Sequence, residues 1–178
     1  MLQKYIALFR GINVGGKNKL PMAGLKIQLQ EFGFKNIITY IQSGNVIFEV
    51  QQTDEKILAE KITNLILKTH GFAPQIIVLT LKKLQQVAKN CPFEVDVKNG
   101  NLLHFFFLSQ SPKNADIAGL NAIKLESETY KIIDDMFYFY APSGFGRSKL
   151  AAKAEKLLGV SATARNFKTL TKLLEIAI

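Results

Sequence analysis

Three short stretches of the chain combine glycine with basic and amide side chains where one secondary-structure element should hand over to the next. The first, Gly11-Ile12-Asn13-Val14-Gly15-Gly16-Lys17-Asn18, fits the phosphate-loop pattern G-x-x-x-x-G-K and misses it only at the last position, where serine or threonine is needed. In a true phosphate loop the glycines let backbone N–H groups wrap the anion, lysine neutralises it and the hydroxyl holds magnesium. Here Asn18 is a poor magnesium ligand, and Pro21 follows four residues after the lysine where a helix should already have opened. Nucleoside-triphosphate hydrolysis is therefore not what these residues favour. A more general chemistry survives: donors freed by Gly15 and Gly16 beside Arg10, Lys17 and Lys19 make an anion pocket. The plainer alternative is a connection with solvated lysines.

Gln42-Ser43-Gly44-Asn45 falls between two β-rich runs, and its amide and hydroxyl groups suit a polar ligand, although turn chemistry also explains asparagine and glycine there. The second glycine loop, Ser143-Gly144-Phe145-Gly146-Arg147-Ser148-Lys149, leaves an expected strand and enters an expected helix, whose positive N-terminal dipole would favour an anion. Arg165-Asn166 is expected at the start of a further helix. Arginine opposes the dipole there, which asks for a partner, either an acid such as Glu155 or a bound phosphate. Asn13, Asn45 and Asn166 would supply orienting hydrogen bonds.

Other chemistry is thin. His70 and His104 have no metal-ligand spacing, Cys91 stands alone before a proline, and Asp134-Asp135 has the composition of a turn. No metal or cofactor is expected. The chain has 13 phenylalanines and five tyrosines, so an exposed aromatic sheet of the kind that stacks RNA bases needs consideration. The corresponding signature is missing, and burial of the rings by a terminal helix is the expectation.

The elements that must position these loops follow from periodicity and turn residues. Lys4–Arg10 reads as a strand, Pro21 to about Phe32 as a helix opened by proline and closed by Gly33, and Asn36–Gln42 and Asn45–Val50 as a hairpin. A helix capped by Thr53 runs to about Thr69, Gly71 ends it, and Gln75–Thr80 is a strand. The order β-α-β-β-α-β is that of a ferredoxin-like, split βαβ sandwich over residues 1–80. Residues 81–100 read as a helix, Leu81–Asn90, and a linker formed by Cys91-Pro92 and Val97–Asn101. In residues 101–178, Leu102–Ser109 is a strand, Pro112–Gly119 a short helix or turn, Ala122–Ile133 extended and Met136–Ala141 its hairpin partner. Helices at Arg147–Leu158 and Thr163–Ala177 close the chain. The second set thus lacks a last strand, and its final helix is expected to replace it. The fold class is α+β: two ferredoxin-like halves, antiparallel sheets with helices packed on one face.

Charge agrees with an anionic partner. The formal net charge is +9, and residues 1–50 and 141–178 hold six and seven basic side chains against two acids each. Hydrophobic residues at 48% allow a real core, and a single cysteine excludes an internal disulfide. No signal peptide or membrane span is recognisable, so a cytoplasmic protein is expected.

The phrases ALFRGINVGGKNKLPM, TYIQSGNVIF, PSGFGRSKLAAKAEKLLG and TARNFKTLTKLLE together resemble the bacterial domain of unknown function 1697 family. The resemblance implies a cytoplasmic bacterial protein of two ferredoxin-like halves and carries over no catalytic or ligand residue. The expected function is binding: the loops Arg10–Lys19, Gln42–Asn45 and Ser143–Lys149, with Arg165-Asn166, gather around a phosphate-bearing ligand, a nucleotide or a nucleic-acid backbone. Two alternatives are a transferase or hydrolase acting on a phosphorylated small molecule, and a protein-interaction module.

Overall fold

A computed structural model describes residues 1–94 and 100–178, which form two compact units, Met1–Gln86 with Leu173–Ile178, and Val87–Lys172. Most of the expected linker stretch Val97–Asn101 lies outside the described residues.

The first unit runs β1 (Leu2–Arg10), α1 (Met22–Glu31), β2 (Lys35–Tyr40), β3 (Asn45–Gln51), α2 (Glu55–His70) and β4 (Gln75–Thr80), and α3 (Leu81–Lys89) follows. All pairings are antiparallel in the order β2-β3-β1-β4, the split βαβ arrangement. Alternation along β1 puts Tyr5, Ala7 and Phe9 on one face, where they join Leu25 and Leu29 of α1 and Leu58, Ile62 and Ile66 of α2 in one buried cluster. Phe34 stacks on Phe48 at 4.5 Å within it. The outer strand β2 is irregular. Its pairing with β3 shifts register between Lys35 and Ile38, and Asn36 sits there at φ 50° while its Nδ2 donates to Glu49 Oε2 at 2.7 Å.

The second unit runs β5 (Leu103–Leu108), α4 (Ile117–Ile123), β6 (Thr129–Ile133), β7 (Met136–Tyr140), α5 (Lys149–Leu158) and β8 (Ala162–Asn166), and α6 (Phe167–Ile176) closes the chain. Its order, β6-β7-β5-β8, is also antiparallel and reproduces that of the first sheet. Phe106, Leu108 and Phe139 share a cluster with Leu120 of α4 and Leu150, Ala154 and Leu158 of α5. On the other face Phe105 meets Phe167 of α6 at 6.2 Å and Tyr138 at 5.5 Å, and Tyr138 Oη donates to Val87 O at 3.1 Å. Burial pushes that phenol up to about 12. The phenylalanine rings of β5 and β7 are all buried, so they form no open stacking surface.

Several expectations need correction. The second half is not missing its last strand: Ala162–Asn166 pairs with β5 from Leu108↔Ala162 to His104↔Asn166 and completes the duplication. Strand pairing overrides the helical look of this segment, and the helix begins only at Phe167, where Asn166 Oδ1 accepts from Thr169 N at 2.8 Å. Ala122–Ile133 is extended only over Thr129–Ile133, because α4 occupies Ile117–Ile123 behind an Asp116 cap. Pro21 is the residue before α1 rather than its first member. Asp54, not Thr53, caps α2, accepting from Lys56 N and Ile57 N, since Thr53 exchanges backbone hydrogen bonds with the Tyr5 hydroxyl. Among the described residues no helix is long and apolar enough to cross a membrane.

Glycine is a steric requirement at one turn. Gly44, at φ 82°, closes the connection between β2 and β3, and Phe9 N donates to its carbonyl at 2.8 Å. A Cβ there would lie 2.5 Å from Ile12 Cδ1 and 2.6 Å from Phe9 Cβ. Gly44→Ala should destabilise the protein by about 2–4 kcal/mol, through overpacking and left-handed backbone together. Gly15→Ala, at φ 58° but facing open space, should cost only about 1–2 kcal/mol. Equilibrium denaturant unfolding of the two variants checks the ranking.

Candidate functional site

The first two candidate loops belong to the first unit, and the glycine loop Ser143–Lys149 and Arg165-Asn166 belong to the second. The loop after β1 is a miniature hairpin rather than a cradle. Val14 and Lys17 form a bridge, Lys17 N donates to Val14 O at 3.0 Å, and Asn13 N donates to Asn18 O at 3.1 Å. Gly15 and Gly16 are its two tip residues, with φ 58° and 75°, as a type I′ turn demands. This geometry replaces the phosphate-loop form that the sequence only partly matched. Bridge partners share a face, so Val14 and Lys17 project together, while the neighbouring Asn13 turns to the body of the protein.

Asparagines hold this hairpin in place. Asn13 Nδ2 donates to Leu20 O and Gln42 O, both at 2.9 Å, while its Oδ1 accepts from Leu20 N at 2.7 Å. Asn18 Nδ2 donates to Gly11 O at 2.9 Å, and both asparagines occupy the left-handed region. Asn45 is buried and donates to Tyr40 O at 3.0 Å. The loops Arg10–Lys19 and Gln42–Asn45 therefore do meet, joined by Asn13 to Gln42. Asn13, Asn18 and Asn45 spend their side chains on the framework. Lys17, Lys19, Gln42 and Ser43 are exposed, and Arg10, also exposed, donates to Gln75 Oε1 at 3.0 Å.

In the second unit Gly144, at φ 98°, leads into a 3-10 turn over Phe145–Arg147, and buried Ser148 caps α5 by accepting from Ala151 N at 3.0 Å. The helix thus opens at Lys149, two residues later than expected, because the serine takes the cap. Gly146, Arg147 and Lys149 are exposed. Arg165 is a strand residue, 9% exposed, opposite Phe105. It does not open a helix, so the expected conflict with a helix dipole does not arise. Its guanidinium donates to Ala164 O at 2.9 Å, and burial pulls its pKa down to about 10. Glu155 accepts from Ala162 N at 3.3 Å. Asn166, besides capping α6, donates to Asn101 Oδ1 at 3.2 Å.

His104, which the sequence marks only by its lack of metal-ligand spacing, holds the glycine loop against β5. Its ring stacks on Phe145 of the glycine loop at 3.9 Å, and its backbone position faces Asn166 across the sheet. The available signal was a histidine inside an otherwise apolar strand. Cys91 is half-buried and burial pushes its thiol up, which disfavours the nucleophilic thiolate. A cavity of about 380 Å³ lined by Gln110, Ser111, Lys113, Asn114 and Leu158–Val160 contains none of the candidate residues. Among the described residues no cluster of histidine, cysteine and acids fits a metal ion.

Burial pulls the His104 imidazole down to about 4, with the Leu102 carbonyl opposing only weakly. The unfolded chain takes up this proton near pH 6.5 and the folded one only near 4, so stability contributed by the neutral ring falls as pH drops through that window. The loss should approach about 3 kcal/mol. His104→Phe, which keeps a ring against Phe145, should flatten the stability curve between those pH values, as read by urea unfolding at matched pH.

Comparison with solved structures finds "conserved bacterial protein SP0830 from Streptococcus pneumoniae", which matches over 100% of both chains with a TM-score of 0.75 and 24% sequence identity. The likeness is one of fold. Comparison with curated proteins gives no match. A family model described as protein of unknown function, DUF1697, matches residues 2–138, from the first residue of β1 into β7. With the family model spanning residues 2–138, well over half of its length, the chain belongs to the DUF1697 family of proteins of unknown function.

Proposed function

We propose that the protein binds a phosphate-bearing ligand, a nucleotide or a nucleic-acid backbone, through its basic glycine-containing loops. One observation carries this reading: Lys17 and Lys19 stand exposed on a hairpin whose shape is locked by Asn13 and Asn18. A solvated connection needs no such locking. Fixed cations lose less conformational freedom on meeting an anion than cations on a loose loop. The amides of Gly15 and Gly16, at the exposed tip, make no backbone hydrogen bond among the described residues and stand beside the Lys17 charge. In the second unit Arg147 and Lys149 are exposed around the Ser148 cap, with Phe145 anchoring their loop on His104. The anion is held by charge and backbone donors, and the framework asparagines act by keeping those groups in position.

Binding of a fluorescent oligonucleotide should weaken steeply with salt, log affinity falling linearly with log concentration. Each of Lys17→Ala and Arg147→Ala should flatten the slope by about 0.7–0.9, one phosphate contact each. Salt-insensitive binding, or slopes that both variants leave untouched, would remove the nucleic-acid form of the reading. A mononucleotide titration of the same samples then tests the small-ligand form, with Asn13→Ala expected to weaken binding without removing a charge.

A further inference from the structure

We propose that the solvent face of α5 docks the phosphate backbone of a nucleic-acid duplex, an inference that rests on the phosphate-binding reading and extends it to a polyanion. α5 buries Leu150, Ala154 and Leu158, and the opposite face consists of Lys149, Ala152, Lys153 and Lys156, all exposed. The lysines recur at i, i+4 and i+7, which places them in one row. No acid stands among them. Glu155, the helix's one carboxylate, is turned to Ala162 N, and none of the three lysines is in an ion pair among the described residues.

The duplicated fold supplies an internal comparison. α2 occupies in the first sheet the place that α5 occupies in the second. Its exposed positions mix Lys56, Lys61 and Lys68 with Glu60, and its first turn carries Glu55 behind an Asp54 cap. That is how a helix is charged when water is its only neighbour and the dipole is respected. α5 has a serine cap, no acid in its first turn, and Lys149 at its first position with Arg147 just before it. These cations cost stability against the dipole and against each other unless an anion lies over them.

The occupant follows from shape and chemistry. From Lys149 to Lys156 the helix rises about 10 Å, the axial length over which one strand of duplex presents about three phosphates. Ala152 leaves room for close approach between the lysines. An anionic membrane would need large apolar side chains on the same face, and those of α5 point into the core. A single strand held by base stacking would need exposed rings, whereas the phenylalanines of β5 and β7 are buried and Phe145 lies on His104. A duplex backbone asks only for charge.

The test uses the full chain and a 20-base-pair duplex followed by fluorescence anisotropy across sodium chloride concentrations. Lys153→Gln with Lys156→Gln should flatten the log-affinity against log-salt slope by about 1.8, at 0.9 per phosphate contact. Lys61→Gln with Lys68→Gln on α2 removes the same charge and should leave the slope unchanged. Equal flattening by both pairs means general electrostatics, and no flattening by either means binding by the loops alone. Both results overturn the α5 assignment and leave the loop proposal to be judged by its own Lys17 and Arg147 variants. Binding to phosphatidylserine vesicles that depends on Lys153 and Lys156, without duplex binding, also overturns it. If the wild-type chain binds neither duplex nor mononucleotide, both proposals fall. Unchanged thermal melts confirm that the exposed substitutions leave the fold intact.

Discussion

The close approach of Gly44 to Phe9 and Ile12 is the contact on which the arrangement of the first unit's loops depends. With no side chain at that position, the backbone of the β2–β3 connection can settle on the end of β1, and its carbonyl accepts from Phe9 N. Asn45 is thereby buried opposite Leu8, and Gln42 comes within reach of Asn13. The glycine hairpin then acquires a fixed platform. Tip glycines at positive φ would otherwise leave Lys17 and Lys19 on a mobile arm. The position of those two cations is thus a consequence of packing inside the sheet, and only secondarily of their own loop.

Much of the architecture was legible because it rests on local signals. The short apolar run in KYIALFR, glycine at position 71, and the Asp134-Asp135 turn between Ile133 and Met136 specify their elements without reference to distant residues. The misjudged segments are those whose state is decided by a partner elsewhere. Ala162–Asn166 has helical company on its C-terminal side, and only the open edge of β5 makes it a strand. Thr53 is as good a cap as Asp54 until the Tyr5 hydroxyl occupies its backbone groups. In the loops, composition marks cations that the structure shows exposed, since lysine and arginine in glycine-rich turns have nowhere to bury. It could not separate them from the asparagines that serve as framework, because an amide looks the same in sequence whether it faces a ligand or a neighbouring carbonyl. His104 illustrates the same limit from the other side: its stacking partner lies 41 residues along the chain, in the glycine loop itself.

The two sheets share one strand order, yet their glycine loops fall at different connections. In the first unit the glycine loop follows the first strand of the set, and in the second it follows the third. The resemblance between the two loops is therefore one of composition, with no common position in the duplicated plan. Helices α2 and α5 do share a position but differ in charge: α2 has an Asp54 cap and Glu55 in its first turn, whereas α5 has a serine cap and no acid there. A repeated fold allows this kind of specialisation because the core positions, such as Leu58 and Ile62 in one copy and Leu150 and Ala154 in the other, satisfy the packing while the outer positions vary.

The irregular edge at β2 has a consequence of its own. A regular outermost strand offers a ladder of unpaired amides and carbonyls on which another chain can build, the first step toward fibrils. The slipped register between Lys35 and Ile38, with Asn36 turned to the left-handed region, interrupts that ladder after only a few residues. Ile38 is left exposed beside the break, but an incoming strand would lose its alignment before it could cover the whole edge. The kink therefore acts as a guard against runaway self-assembly, at a place where an exposed isoleucine would otherwise invite it.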